Sequence, residues 1–297
     1  MVNVIFEALL ERDYATAAVY SSYGSLVYAS TVIGGRISDS ILGMRNSIFL
    51  GGILMSLGHF VLAIENHITF FIALSLIIAG NGFFKPNIST FVGSLYTEGD
   101  PRKASGFTIF YMGINIGGWV APLLCGFLAA KYGWHYGFGL AGIFMLLGML
   151  QFHFSQNIFG DIGKKPVKTE GDEEDETTKL EYEGDRLNPF TTVDKVLIAI
   201  SAIIGVTWVL NDPISKIAGP EYSFLEIGGI DYSNHYILVG LFVFLGLLVS
   251  RILRYPKITR DRMIAIVIFA LMTVIFWMCF EQAGGSMTIF ASDYTDR

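Results

Sequence analysis

Apolar residues in this chain fall in long uninterrupted stretches rather than in alternating faces. Eight stretches approach or exceed the ~20 mostly apolar residues that a helix needs to cross a bilayer. They are Ala17–Ser38, Asn46–Ile64, Thr69–Tyr96, Ala104–Ala130, Trp134–Phe154, Val193–Leu210, His235–Leu253 and Met263–Ser292. The connections after the first, second and fourth are short, which predicts antiparallel neighbours. The fold class expected is all-α: a polytopic membrane protein with about eight transmembrane helices.

Between the fifth and sixth stretches the pattern breaks. Residues 155–192 contain EGDEEDETTKLEYEGD, a run too acidic to bury and expected to form a solvated cytoplasmic linker. The chain then divides into a five-span part (1–154), the linker (155–192), a helix pair (193–253) and a final span (254–297).

Composition agrees with a membrane bundle. Hydrophobic residues make up 53% of the 297 and charged residues only 15%, with mean hydropathy +0.53. Soluble domains carry roughly 25% charge. Glycine, at 33 residues, suits helices whose backbones approach closely. The N-terminal MVNVIFEALLERDYATA lacks the basic flank and apolar core of a signal peptide. Cys125 and Cys279 both lie in apolar runs and offer no disulfide framework or metal spacing. A net charge of −6 without a basic stripe argues against nucleic acid as a partner.

Positive charge gives the orientation. If Asp39–Arg45 is cytoplasmic, the segments on that side and their flanks hold 15 of the 20 Lys and Arg residues. The other side holds Arg12, Lys131, Lys216 and Arg297, and Lys85 remains inside a span.

An ionisable group deep in a span costs several kcal/mol and needs a reason to be there. Lys85 lies about 20 Å from Glu98 and about 27 Å from His67 at ~1.5 Å per helical residue, beyond the reach of a lysine stem. Pro86 follows it and is expected to kink the helix. Lys85 then either serves function or binds carbonyls freed by the kink. Glu281, 19 residues after Arg262 and 12 before Asp293, falls in the outer half of the last span, where burial is expected. A carboxyl group removed from water is stable as the neutral acid and charged beside a cation. That behaviour suits proton coupling, and the ordinary alternative is a packing contact through Gln282 or a carbonyl.

Other candidates carry less by themselves. Asn115 sits between Gly113 and Gly117, a spacing for close helix packing, and a lone Asn there more commonly makes an interhelical hydrogen bond. His59 and His153 read as packing residues. Tyr28, Trp277 and Phe280 are cavity aromatics or simple packing. In the turn GGRISDSILGMRN, Gly34 and Gly35 allow close approach, Gly43 allows a tight reversal, and Asp39 can pair with Arg45. This is either a gate or an ordinary interfacial turn. No nucleophile–base pair or metal cluster stands out, so an enzyme is not expected.

Four of these segments, in order and in register, resemble the proton-dependent oligopeptide transporters of the major facilitator superfamily. GGRISDSILGMR resembles the superfamily's turn between its second and third helices. GNGFFKPNISTFVGSLY, FTIFYMGINIGGWVAPLLCG and FWMCFEQAGGSMTIFASDYTDR resemble the family's fourth, fifth and seventh helices. The resemblance implies that Lys85 binds the peptide carboxylate and takes part in proton coupling, and that Asn115 contacts the peptide backbone. It implies that Glu281 links protonation to gating, and that Tyr28 and Trp277 line the cavity. The residues Gly35, Asp39, Gly43 and Arg45 become a cytoplasmic gate. The stretches Val193–Leu210 and His235–Leu253 look like the extra helix pair of bacterial members, which implies a bacterial inner membrane.

The family's first helix carries a Glu-x-x-Glu-Arg motif. Here Glu11 and Arg12 are adjacent but position 8 is Ala8. The expectation is therefore a partial bundle, without the first helix and the last five, and without the usual partners of Lys85 and Glu281. The resemblance implies proton-coupled symport of di- and tripeptides by alternating access, the proton being the coupling ion and no cofactor being needed. The lipid bilayer, a peptide and a second chain supplying the missing helices are the implied partners. Two alternatives stay open: a non-transporting membrane binding or assembly protein, and a carrier of another anionic solute with Lys85 as counter-charge.

Overall fold

The structure is a computed structural model, and it describes residues 2–165 and 188–284 together with Met287 and Phe290. The acidic run of the expected linker lies outside the described residues, as do the side chains of Ala8, Glu11 and Arg12. Eight long helices follow one another: α1 (Val2–Ile37), α2 (Met44–Leu62), α3 (His67–Ser94), α4 (Arg102–Tyr132), α5 (Trp134–Phe154), α6 (Thr192–Ala218), α7 (Ser233–Leu253) and α8 (Lys257–Phe280). Seven of them, α2 to α8, are long and apolar enough to cross a membrane; α1 is not among these on its described residues. The expected eight spans thus become eight helices of which seven qualify.

Backbone contacts divide the chain into two compact units, residues 23–169 and residues 1–22 with 170–297. In the first unit α2 and α3 form an antiparallel hairpin. Glycines set its spacing: a Cβ at Gly51 would stand 2.6 Å from the Gly80 carbonyl oxygen, and one at Gly80 2.7 Å from that of Gly51. Leu62, Ala73 and Ile77 form the buried centre, with Tyr23, Met55, Val61 and Phe138 around them. The α5 helix packs on α2 through Met149 against Gly52 and Gly142 against Phe60. Asn66 starts α3 by accepting a hydrogen bond from the Ile68 amide (2.8 Å). His153 stacks near Phe49, with ring centroids 5.5 Å apart.

The first residues of the expected linker are described and are ordered against the first unit. Residues 156–159 form a short 3-10 turn, and Phe159 packs edge-on against Phe91 with centroids 5.0 Å apart. This stretch is apolar (QNIFGDIG), and the acidic run starts beyond it.

In the second unit α6 and α7 form the expected pair, joined by a two-strand hairpin of β1 (Glu226–Ile227) and β2 (Ile230–Asp231). Both ends of the pair are closed by polar groups. At one end Asn211, buried, accepts from the Phe224 amide (2.9 Å) and the Ser223 hydroxyl (3.1 Å). At the other, Thr191 and Asp194 form a capping box at the start of α6. Asp194 also accepts from Arg251 and Arg254 at the end of α7. Ser22 of α1 donates to the Val209 carbonyl of α6 (2.6 Å). The α8 helix starts six residues before the expected span and ends at Phe280.

Candidate functional site

Lys85 is placed by the crossing of α1 and α3. The helices meet where neither has a side chain to separate them. A Cβ at Gly34 would stand 2.1 Å from the Gly82 carbonyl oxygen, and one at Gly82 would stand 2.8 Å from the Ser30 carbonyl oxygen. Pro86 has no N–H to offer the carbonyl four residues earlier, which is Gly82. That carbonyl, otherwise bare in hydrocarbon, is instead covered by α1. The α3 helix runs through Pro86 without interruption from His67 to Ser94.

Polar groups stitch the same seam on either side of the crossing. Ser30 Oγ donates to the Ile78 carbonyl (3.0 Å) and Asn81 Nδ2 to the Val27 carbonyl (3.1 Å). Buried Asn87 donates to the Phe83 carbonyl (2.7 Å) and accepts from Ser38 Oγ (2.6 Å). Each of these groups satisfies a backbone or side-chain partner that lipid could not. With the seam fixed, Lys85 Nζ stands 4.0 Å from the centroid of the Tyr28 ring. Tyr28 is 46% exposed, and Lys85 is exposed as well. The aromatic face attracts the ammonium without accepting its proton. The arrangement leaves a cation held in place and open to an anion.

The turn after α1 departs from expectation in its chemistry. A π-helical turn, Ser38–Leu42, leads to Gly43 at φ 76°. Gly43 is required twice, because a Cβ would also stand 2.6 Å from the Lys164 carbonyl oxygen. Arg45 does not pair with Asp39; among the described residues no ion pair joins them. Arg45 is buried, its guanidinium donates to the Gly160 carbonyl (2.7 Å) and stands over the Phe159 ring, and its amide donates to the Gly163 carbonyl (2.9 Å). The reversal at Gly43 turns Arg45 inward onto the segment after α5, while Asp39 remains exposed beside Gly35, Arg36 and Ser40.

Asn115 lies on an open face of α4 with Phe107, Tyr111, Met112 and Trp119. Its amide donates only to the Tyr111 carbonyl one turn back (3.0 Å) among the hydrogen bonds described. Gly113 and Gly117 have nothing within 4 Å of an added Cβ, so among the described residues no helix packs closely on them. Trp277 and Glu281 belong to the other unit. Trp277 packs edge-on to Phe280 (5.3 Å), which stacks on Phe276 (5.8 Å). Glu281 follows the last residue of α8 and opens a 3-10 turn. Its side chain is exposed, and among the described residues α8 has none that is buried. Lys85 and Tyr28 are therefore the site residues the structure brings into contact. The residues that sequence reasoning missed are Ser38, Gly82 and Asn87. Gly82 and Asn87 flank the Lys-Pro pair, and that position is the signal that could have found them.

Residues 45–169 match the family described as PTR2, the POT family. The chain is 38% identical over 285 residues to the uncharacterized transporter YclF of Bacillus subtilis, covering 95% of this chain and 52% of that protein. It is 34% identical over 276 residues to a di-/tripeptide transporter of Lactococcus lactis, covering 92% and 50%. Over most of its length the chain is similar to POT family transporters. A solved POT family transporter in complex with a thioalcohol-conjugated peptide superposes with a TM-score of 0.69 at 26% identity, covering 96% of this chain and 54% of that one. The chain spans about half the length of the curated relatives it matches. The family's members are transporters, not enzymes, and this chain is a multi-pass protein of a bacterial inner membrane.

Proposed function

We propose that this chain forms part of a proton-coupled carrier of di- and tripeptides that works by alternating access. The observation that carries the reading is Lys85 on the Tyr28 ring, a cation built into a membrane helix and open to an anionic group. A peptide is a zwitterion, and its carboxylate needs such a cation in a medium where water is scarce. Asn115, on the open face of α4, supplies a donor and an acceptor for the peptide backbone. Glu281 at the end of α8 exchanges the coupling proton, and Trp277 lines the cavity with its apolar face. Relatives named as di-/tripeptide transporters support the substrate class.

Transport belongs to the assembly of this chain with the remaining half of a POT-length protein. Proteoliposomes carrying an inward proton gradient and a radiolabelled dipeptide test this. The chain co-reconstituted with a POT C-terminal half should take up label, and Lys85→Ala or Glu281→Gln should reduce uptake by at least about tenfold, the loss of one charged contact. Uptake that ignores both substitutions, or a pair that never transports, would overturn the reading.

A further inference from the structure

The ends of α6, α7 and α8 that the charge pattern assigns to the cytoplasm carry more positive charge than the described residues around them pair with. Asp194 is buried and fixes the level of these ends. Its carboxylate accepts from Arg254 Nη1 and Nη2 (2.8 Å each) and from Arg251 Nη1 (3.2 Å). One carboxylate thus faces two guanidiniums, and the clasp keeps a net positive charge. Arg251 is held further by the Asn188 carbonyl (2.6 Å) and stands 3.9 Å from the Phe190 ring centroid.

Around this clasp lie cations that it does not hold. Lys195 follows Asp194 directly and is exposed; Lys257 is exposed and Arg260 half-buried in the first turn of α8. That turn runs against the helix dipole. Its N-cap is Pro256, it has no side-chain cap, and it contains no acidic residue. A helix N-terminus favours negative charge, and Lys257 and Arg260 put positive charge there instead. An anion seated at this turn relieves both the dipole and the cations. Asp261 is the acid nearest in sequence, and it is exposed.

Phe190 and Tyr255 flank the rim, as aromatic residues do where membrane meets water. Apolar surface faces outward immediately beneath, with Val193 65% and Val249 54% exposed. Cations, aromatics and exposed apolar residues thus share these helix ends. We propose that this rim is a binding surface for the phosphate headgroups of anionic phospholipid, with Lys195, Lys257 and Arg260 as the contacting groups. The proposal stands apart from the transport reading, since none of these residues enters it.

Native mass spectrometry of the purified chain in a 1:1 mixture of phosphatidylglycerol and phosphatidylcholine of equal acyl chains tests it. The chain should retain phosphatidylglycerol over phosphatidylcholine by at least about fivefold, as expected for several cations near one headgroup. The triple variant K195Q/K257Q/R260Q should bind the two alike, while the charge-keeping K195R/K257R/R260K retains the preference. Circular dichroism of all three chains reports whether the helices persist. Absence of a preference in the parent chain, or its survival in a folded Gln variant, would overturn the proposal.

Discussion

At the scale of single residues, the strictest demands fall on glycines. Gly34 faces a backbone carbonyl that cannot turn aside, so Gly34→Ala must push α1 off α3. Gly24, on the same helix, has open space around it. Gly24→Ala should gain up to about 1 kcal/mol from helix propensity alone, whereas Gly34→Ala should lower the thermal unfolding midpoint. Measuring both in the same detergent checks the contrast, and an equal response would show that the seam yields. Sequence reading identified Gly34 as a packing glycine and Lys85 with Tyr28 as site residues. It could not foresee that the carbonyl freed by Pro86 is the one Gly34 covers. That match depends on the register of two helices that lie far apart in sequence.

At the scale of elements, the helix pair α6–α7 is closed at both ends, and each closure makes its own prediction. Asp194→Ala leaves Arg251, 12% exposed in its side chain, without its carboxylate. It should destabilise the pair by about 3 kcal/mol, as removing one partner of a buried ion pair does. Thr191→Ala removes only the cap and should cost about 1 kcal/mol. Denaturant unfolding of the two variants checks the order. At the other end, hydrogen bonds from the Ser233 hydroxyl and amide hold the Asp231 carboxyl below its ordinary range. The stabilisation from this depressed carboxyl is present above its unfolded pKa and is lost as pH falls through the folded one. The β1–β2 hairpin should keep its amide protection through mild acid and lose it only below the usual carboxylate range, as hydrogen exchange against pH would show. The pair itself was legible as two apolar runs. The clasp was not, because Arg251 and Arg254 read as ordinary membrane-flanking charges until Asp194 is placed beside them.

At the scale of the whole molecule, composition and charge asymmetry were enough to read a multi-pass helical protein, and four motifs in register were enough to read the resemblance that the comparisons also find. Helix ends were read less well where a residue's role depends on a neighbour. Arg45 looked like a partner for Asp39 because the two are six residues apart. Its acceptors in the structure lie far along the chain, beyond α5. Burial of Glu281 was read from its place in an apolar span, and among the described residues α8 packs on α7 and on the 3-10 turn that follows it. Asn115 lies on an open face of α4 among the described residues.

The inward turn of Arg45 has a consequence for how the protein is made. The carbonyl that receives its guanidinium belongs to Gly160, 115 residues later. At ~5–20 residues per second, a ribosome needs roughly 6–23 s to add that stretch. Throughout that interval α2 has emerged with a cation that has no acceptor from its own fold. The nascent α1–α2 corner must therefore stay at headgroup depth, and its final seating waits for the arrival of α5 and the turn behind it. The order of synthesis therefore sets when this cytoplasmic corner takes its final seat.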